Sequence, residues 1–251
     1  LIINVGGGVV CDLGAFIAST YKRGISFVNV PTSLLAMVDA SVGGKNGINF
    51  EGLKNQLGTF TQPDFVLVDS DFLASLPQEE WESGHAEMLK HALLSGNRWT
   101  ELLALEPTAL ALDDIEQSVA FKADIVREDF KENGKRKILN LGHTTGHAWE
   151  SYSAASGNPC THGAAVIQGL HVALTLSGLQ DQQSALAQRY PWQVVEEEAL
   201  QPLWERQLQD KKNANGEVRY VLLERFGRPV WDVEITFERW TAAVLALNSA
   251  S

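Results

Sequence analysis

An apolar pentapeptide, Leu1–Val5 (LIINV), runs directly into the glycines Gly6, Gly7 and Gly8 and then into a helical period from Val9 to Thr20. A second apolar run, Ile25–Val30 (ISFVNV), follows at once. Strands that alternate with helices in this way imply a parallel sheet. Pro31 is suited to open a further helix to about Asp39, the glycine-rich SVGGKNGIN reads as loop, and Phe65–Asp69 (FVLVD) reads as a third strand. From Pro77 the pattern turns helical, with helices expected near 79–95, 111–130, 138–154, 162–178 and 196–209. NANG at 213–216 signals a turn, EVRYVLLERFGRPV reads as two strands bending near Gly227, and 237–247 returns to helix. The class expected is α/β, with a parallel-sheet part over 1–76 and a mainly α-helical part over 77–251.

Composition narrows the partners. With 45% hydrophobic and 20% charged residues, the chain has the balance of a globular protein with a sizeable core. A net charge of -11 argues against nucleic acid as a partner, because phosphate backbones need a basic face. Small anions stay possible, since lysines and arginines gather in motif-like segments. Cys11 and Cys160 form no CxxC pair, which suits a reducing, cytoplasmic setting. No apolar run approaches the length of a membrane span, so no membrane partner is expected. The chain opens at Leu1 inside an apolar run, as expected of a trimmed or fragmentary N-terminus.

Several segments carry candidate chemistry. Gly6–Gly8 between strand and helix would let backbone amides approach a pyrophosphate, although the spacing is not GxGxxG and a tight structural turn reads the same. Asp12 in the first turn of that helix fits either a ligand role or the helix dipole. Asp39, Lys45, Lys54 and Asn55 sit in or beside glycine-rich loops, where ammonium groups can close on a phosphate or simply face water. His143 and His147 are four apart, hence on one helix face, and His162 opens the next apolar helical run. Glu87 and Lys90 share nearly one face of another helix. Two histidines and a glutamate would make a zinc site with an open position, but the spacing does not choose among six histidines. Arg136 and Asn140 are i, i+4 and precede His143, so a continuous helix would line them up with the histidine pair. Lys122 and Glu132 lie on a charged stretch that suits either a proton relay or a solvated face.

Taken in order, GGGVVCDLGAF, TYKRG, VPTSLLAMVDASVGGKNGIN, LKNQLGTF, GHAEMLKHALL, KADIV, LNLGHTTGHAWE, THGAAV and DKKNANGEVRYVLL resemble 3-dehydroquinate synthase, the NAD- and zinc-dependent cyclase of the shikimate pathway. The resemblance spans nearly the whole chain. It implies an NAD-binding α/β part over 1–76, lacking the family's further N-terminal segment, and a metal and substrate domain over 77–251. It implies Glu87, His143 and His162 as zinc (or cobalt) ligands, with His147 and Glu132 as the catalytic proton-transfer pair. NAD contacts would fall on Gly7, Gly8, Val9, Asp12, Thr32, Ser33, Lys54, Phe72, Leu73, Ala74 and Ser75. Substrate contacts would fall on Arg23, Asp39, Lys45, Asn55, Lys90, Lys122, Arg136, Asn140 and one or both of Lys211 and Lys212.

The reaction so implied converts 3-deoxy-D-arabino-heptulosonate 7-phosphate to 3-dehydroquinate and phosphate, and the family commonly forms homodimers. The alternatives are a related sugar phosphate cyclase of inosose or valiolone type, a metal-dependent polyol dehydrogenase, or a non-catalytic fragment that keeps the metal site. Cys11 and Ala164 depart from residues common in the family, and neither removes a ligand.

Overall fold

The computed structural model describes residues 1–50, 53–209 and 218–250. In chain order the elements are β1 (Ile2–Gly6), α1 (Gly8–Thr20), β2 (Phe27–Pro31), β3 (Lys45–Phe50), β4 (Leu53–Phe60), α2 (Gln78–Ser95), α3 (Trp99–Ala104) and α4 (Leu112–Glu128). There follow α5 (His143–Ala155), α6 (His162–Leu176), α7 (Gln180–Arg189), α8 (Glu197–Leu208), β5 (Val218–Arg225), β6 (Arg228–Ile235) and α9 (Phe237–Ala250). Two compact units emerge, Leu1–Met88 with Glu106–Arg136 and Leu89–Leu105 with Lys137–Ser251, so the boundary falls inside α2.

In the first unit β1 and β2 pair in parallel, from Ile2 opposite Phe27 to Gly6 opposite Pro31. Ala15, Ala18 and Phe27 form a buried cluster extended by Ile2 and Ile25, the apolar positions that the periodicity marks as inward. Helix and strand meet closely at Gly14, where a Cβ would stand 1.8 Å from Asn4 Oδ1. In that buried layer Asn4 Nδ2 donates to Asn29 Oδ1 at 2.9 Å, which satisfies two amides that burial would otherwise penalise.

Three expectations for this unit change. Phe65–Asp69 is not a full strand: a single parallel bridge joins Asn29 and Val66, and Phe65 and Leu67 stay exposed. The chain turns away after that bridge into a short 3-10 helix, Ser70–Ser75. The helix expected from Pro31 begins beyond Thr32, whose N–H donates to Gly6 O, and ends in a π turn over Ala36–Ala40. The glycine-rich segment is loop only over 41–44; from Lys45 it is β3, paired antiparallel with β4 so that Gly47 stands opposite Gly58. A Cβ at Gly58 would lie 2.5 Å from Asn46 O, so the glycines permit a close approach that side-chain alternation never announces.

The second unit is built around α6, buried along nearly its whole length from Ala165 to Leu174. Glycines set its distance from α5. A Cβ on Gly169 would fall 1.7 Å from Gly142 O, and one on Gly146 would fall 3.0 Å from Ala165 O. The antiparallel β5–β6 pair turns at Gly227, whose N–H donates to Leu93 O at 3.1 Å. Gly227 and Gly96 both take positive φ and touch through their backbones, a Cβ on Gly227 meeting Gly96 Cα at 2.6 Å.

Here too the structure corrects the reading. The helix expected over 138–154 begins only at His143, because Gly142 takes φ 77° and separates it from a 3-10 turn, Lys135–Asn140. Helices α3 and α7 were not anticipated; α7 (QDQQSALAQR) buries only Leu186 and so carries no apolar period. The turn expected at 213–216 lies outside the described residues. Among the described residues no helix is long and apolar enough to cross a membrane.

Candidate active site

The glycine turn of the first unit presents backbone rather than side chains. Gly7 is the N-cap of α1 and makes no side-chain cap, while Cys11 N–H donates back to Gly7 O. Cβ atoms built on Gly7 and Gly8 would meet Ser33 Oγ at 3.4 Å and Ala40 Cβ at 3.2 Å, and Thr32 N–H donates to Gly6 O at 3.0 Å, so Thr32 and Ser33 both lie beside the turn. Val9 is exposed on the first turn, and Asp12 follows one turn later. Burial pushes the Asp12 carboxyl up to about 7, helped by the nearby charge of Asp39 and opposed by Lys122. Phe72, Leu73, Ala74 and Ser75 form the 3-10 helix Ser70–Ser75, with Leu73 buried and Phe72 exposed.

Two pairs of charged candidates meet in this unit, Lys122 with Asp39 and Lys45 with Glu132. Lys122, on α4 and 6% exposed, donates to Asp39 Oδ1 at 2.5 Å and to Asp39 O at 2.6 Å. Lys45 opens β3 and bonds Glu132, which stands in a left-handed turn at φ 60°. Arg136 is buried, donates to Phe130 O at 2.5 Å, and passes so close to Gly43 that a Cβ there would lie 2.5 Å from its Nη2. Burial lowers the pKa of Arg136, and Asp39 and Asp129 counter that shift. Arg23 lies exposed in the turn after α1, and Lys54 and Asn55 belong to β4. Lys211 and Lys212 lie outside the described residues.

On α2, Glu87 is wholly buried and Lys90 is 1% exposed, which requires charged or hydrogen-bonding company for both. In the second unit three of the six histidines converge. His143 is the first residue of α5 and His162 the first of α6, and their ring centroids are 5.5 Å apart. His147 lies 5.2 Å from His143 and 6.0 Å from His162. Because a carbonyl can only accept, the 3.1 Å contact between His143 Nδ1 and Leu141 O places the ring proton on Nδ1 and leaves Nε2 as the ligand atom. His162 Nδ1 stands 3.6 Å from Glu150 Oε2, a carboxylate beside an imidazole as metal-bound histidines commonly have. This donor set fits a divalent transition metal ion. His171 is elsewhere: its Nε2 faces Tyr190 O at 2.8 Å, and burial holds its pKa down at about 4.

The straight line of Arg136, Asn140 and His143 does not form, since Gly142 breaks it. Asn140 instead lines a cavity of the second unit with His143 and His147, and the β5–β6 pair supplies Arg219, Tyr220, Trp231 and Asp232 to the same cavity. Lys137, also on its wall, bonds Asp232 at 2.6 Å. Arg219 and Tyr220 fall in an expected strand and Trp231 and Asp232 just beyond the second one, and no local motif marks any of them as site residues. Glu150 was findable: it is i+3 from His147 and i+7 from His143, on the same helical stripe. On the cavity wall Tyr220 is only 3% exposed, and burial raises its phenol far above the usual range, so it stays a neutral hydroxyl.

Comparison with known proteins follows the same lines. Residues 1–83 match the model of the 3-dehydroquinate synthase N-terminal region, and residues 84–215 match that of its C-terminal region. The 3-dehydroquinate synthase of Leptospira interrogans is 43% identical over 95% of this chain and 70% of its own length. That of Parabacteroides distasonis is 39% identical over 95% of this chain and 72% of its own. The chain thus spans about 70% of the length of these relatives. Among solved structures, a 2-deoxy-scyllo-inosose synthase complexed with carbaglucose-6-phosphate, NAD+ and Co2+ superimposes with a TM-score of 0.82 over 99% of this chain and 73% of its own, at 22% identity. A 2-epi-5-epi-valiolone synthase from Streptomyces hygroscopicus with NAD+ and Zn2+ bound also reaches 0.82, at 23% identity over 99% of this chain and 73% of its own. Those two share the fold, whereas both halves of the sequence carry a single family's pattern at far higher identity: the chain belongs to the 3-dehydroquinate synthase family.

Proposed function

We propose that the chain carries out its family's reaction, 3-deoxy-D-arabino-heptulosonate 7-phosphate to 3-dehydroquinate and phosphate, with NAD and a divalent metal, zinc foremost. The observation that carries this reading is the convergence of His143, His147 and His162, with the His143 tautomer already set by Leu141 O. Glu87, His143 and His162 would hold the metal, and the Gly7–Val9 turn with Asp12, Thr32 and Ser33 would hold NAD. When bound, the metal supplies Lewis acidity toward a substrate hydroxyl, and NAD supplies a reversible hydride acceptor.

The chain's own residues do the rest. Lys45, Lys90, Lys122, Arg136 and Asn140 hold the substrate's anionic and hydroxyl groups, the Arg136 guanidinium having the planar fork that suits a carboxylate. His147 and Glu132 take up and return protons during phosphate loss and ring closure. The charge pairs Lys122–Asp39 and Lys45–Glu132 hold these side chains in place before substrate arrives. A reducing, cytoplasmic setting and a homodimer complete the proposal.

The test is phosphate release from the heptulosonate 7-phosphate with NAD and zinc supplied and an EDTA-treated control. Metal- and NAD-dependent release is expected, with His147→Ala keeping zinc and losing turnover by at least about a hundredfold. Folded, zinc-loaded protein that releases no phosphate would refute the reading.

A further inference from the structure

Thr145 lies on α5 between His143 and His147, and its side chain points into the core rather than along the helix. Its hydroxyl meets Tyr220 Oη at 2.8 Å and receives Trp240 Nε1–H at 3.3 Å. Tyr220 Oη in turn donates to Gln207 Oε1, whose own Nε2 donates to Leu203 O. Thr145, Tyr220, Gln207 and Trp240 are all at least 97% buried. The direction of the chain follows from the donor inventory. An indole N–H only donates and an amide oxygen only accepts, so the Tyr220 proton is committed to Gln207 and the Thr145 proton to Tyr220.

That direction matters for the neighbouring turn. A threonine in a helix ordinarily has a second choice, to bond back to the carbonyl three or four residues earlier. For Thr145 those carbonyls belong to Gly142 and Leu141. Leu141 O is the acceptor that receives His143 Nδ1–H.

We propose that Tyr220 is a positioning residue for the metal centre: by taking the Thr145 proton it keeps the Leu141 carbonyl reserved for His143, and so holds Nε2 of that ring as the ligand atom. The inference rests on the reading of His143 as a metal ligand. Loss of the Tyr220 acceptor would turn the Thr145 hydroxyl back toward the helix, where it competes with the imidazole N–H for Leu141 O and frees the ring to rotate or change tautomer.

The experiment is zinc affinity by competition with a chelator, with thermal melts alongside, on the wild-type chain and variants. Tyr220→Phe should weaken zinc binding about tenfold, the low end for partners that orient metal-bound histidines. Adding Thr145→Val removes the competing hydroxyl, so the double variant should regain wild-type affinity although its Tm is no higher. A general loosening of the core would not be reversed by a second core substitution. Gln207→Leu gives an independent arm should Tyr220→Phe fold poorly. The phenol then turns its proton to Thr145 and displaces the threonine proton toward Leu141, with the same loss of affinity. Unchanged affinity in folded Tyr220→Phe and Gln207→Leu, or no recovery in the double variant, overturns the proposal. Wild-type affinity in His143→Ala overturns the ligand reading itself and this inference with it.

Discussion

The two units hold their polar candidates in opposite ways. In the first, the groups are charged, borne on turns, a hairpin strand and a helix, and tied to one another: Lys122 to Asp39, and Lys45 to Glu132. In the second, the groups are imidazoles at or near the starts of two helices, brought together because Gly142, Gly146 and Gly169 let α5 and α6 approach backbone to backbone. Electrostatics organises one and steric fit the other. Substitutions that test charge should therefore act mainly on the first unit, and substitutions that add volume should act hardest on the second.

The largest expected effect is steric. Gly169→Ala sets a methyl 1.7 Å from Gly142 O, a backbone atom that cannot turn aside, and should destabilise by about 4 kcal/mol or prevent folding. Gly14→Ala is its counterpart in the first unit, but its 1.8 Å clash is with the Asn4 side chain, which can swing away at the loss of the bond to Asn29. About 2 kcal/mol is expected there. Urea midpoints decide it, and equal losses at the two glycines would erase the contrast.

Next come opposite pH dependences. Asp12 in the first unit has its folded pKa raised from 3.8 to about 7, so its contribution to stability is fully present below pH 3.8 and is lost as pH rises through 7. His171 in the second unit has its folded pKa lowered from 6.5 to about 4, so the unfolded chain binds the extra proton. Its contribution is present above pH 6.5 and is lost as pH falls to about 4. Each is of order 3 kcal/mol across its window. Asp12→Asn should flatten the alkaline side of the stability profile and leave the acid side as it was. An unaltered alkaline limb would remove Asp12 as its cause.

The smallest effect is expected at exposed charge. Arg127 and Asp124 pair at 2.7 Å with side chains 77% and 71% exposed, and Arg127→Ala should shift stability by less than about 0.5 kcal/mol. Lys137→Met breaks a half-buried pair with Asp232 on the cavity wall and should destabilise by about 1 kcal/mol. A larger loss at Arg127 than at Lys137 would contradict the role given to burial.

Much of the first unit was legible because its signals are local. A strand, a glycine turn and an amphipathic helix each announce themselves within a few residues, and β1, α1 and β2 form within a residue or two of the expected bounds. The hairpin β3–β4 was not legible, since Gly47 and Gly58 face each other where alternating side chains would have marked strands. The same holds for α7, a polar decapeptide that is helical although only Leu186 is buried.

The candidate site divides likewise. Spacing alone put His143 and His147 on one helix face, and the ordered motifs carried the family, because both depend only on residue type and separation along the chain. Spacing could not select His162 over His85, His91 or His171, nor reveal Glu150 beside His162 or Tyr220 behind Thr145. Those relations join residues up to 75 positions apart and exist only once α5, α6 and the β5–β6 pair have packed. The sequence by itself determined which side chains were available and in what local geometry. Tertiary packing decided which imidazole carries its proton where, and which charges face a partner, because tautomer and pairing answer to neighbours that the order of the chain does not bring together.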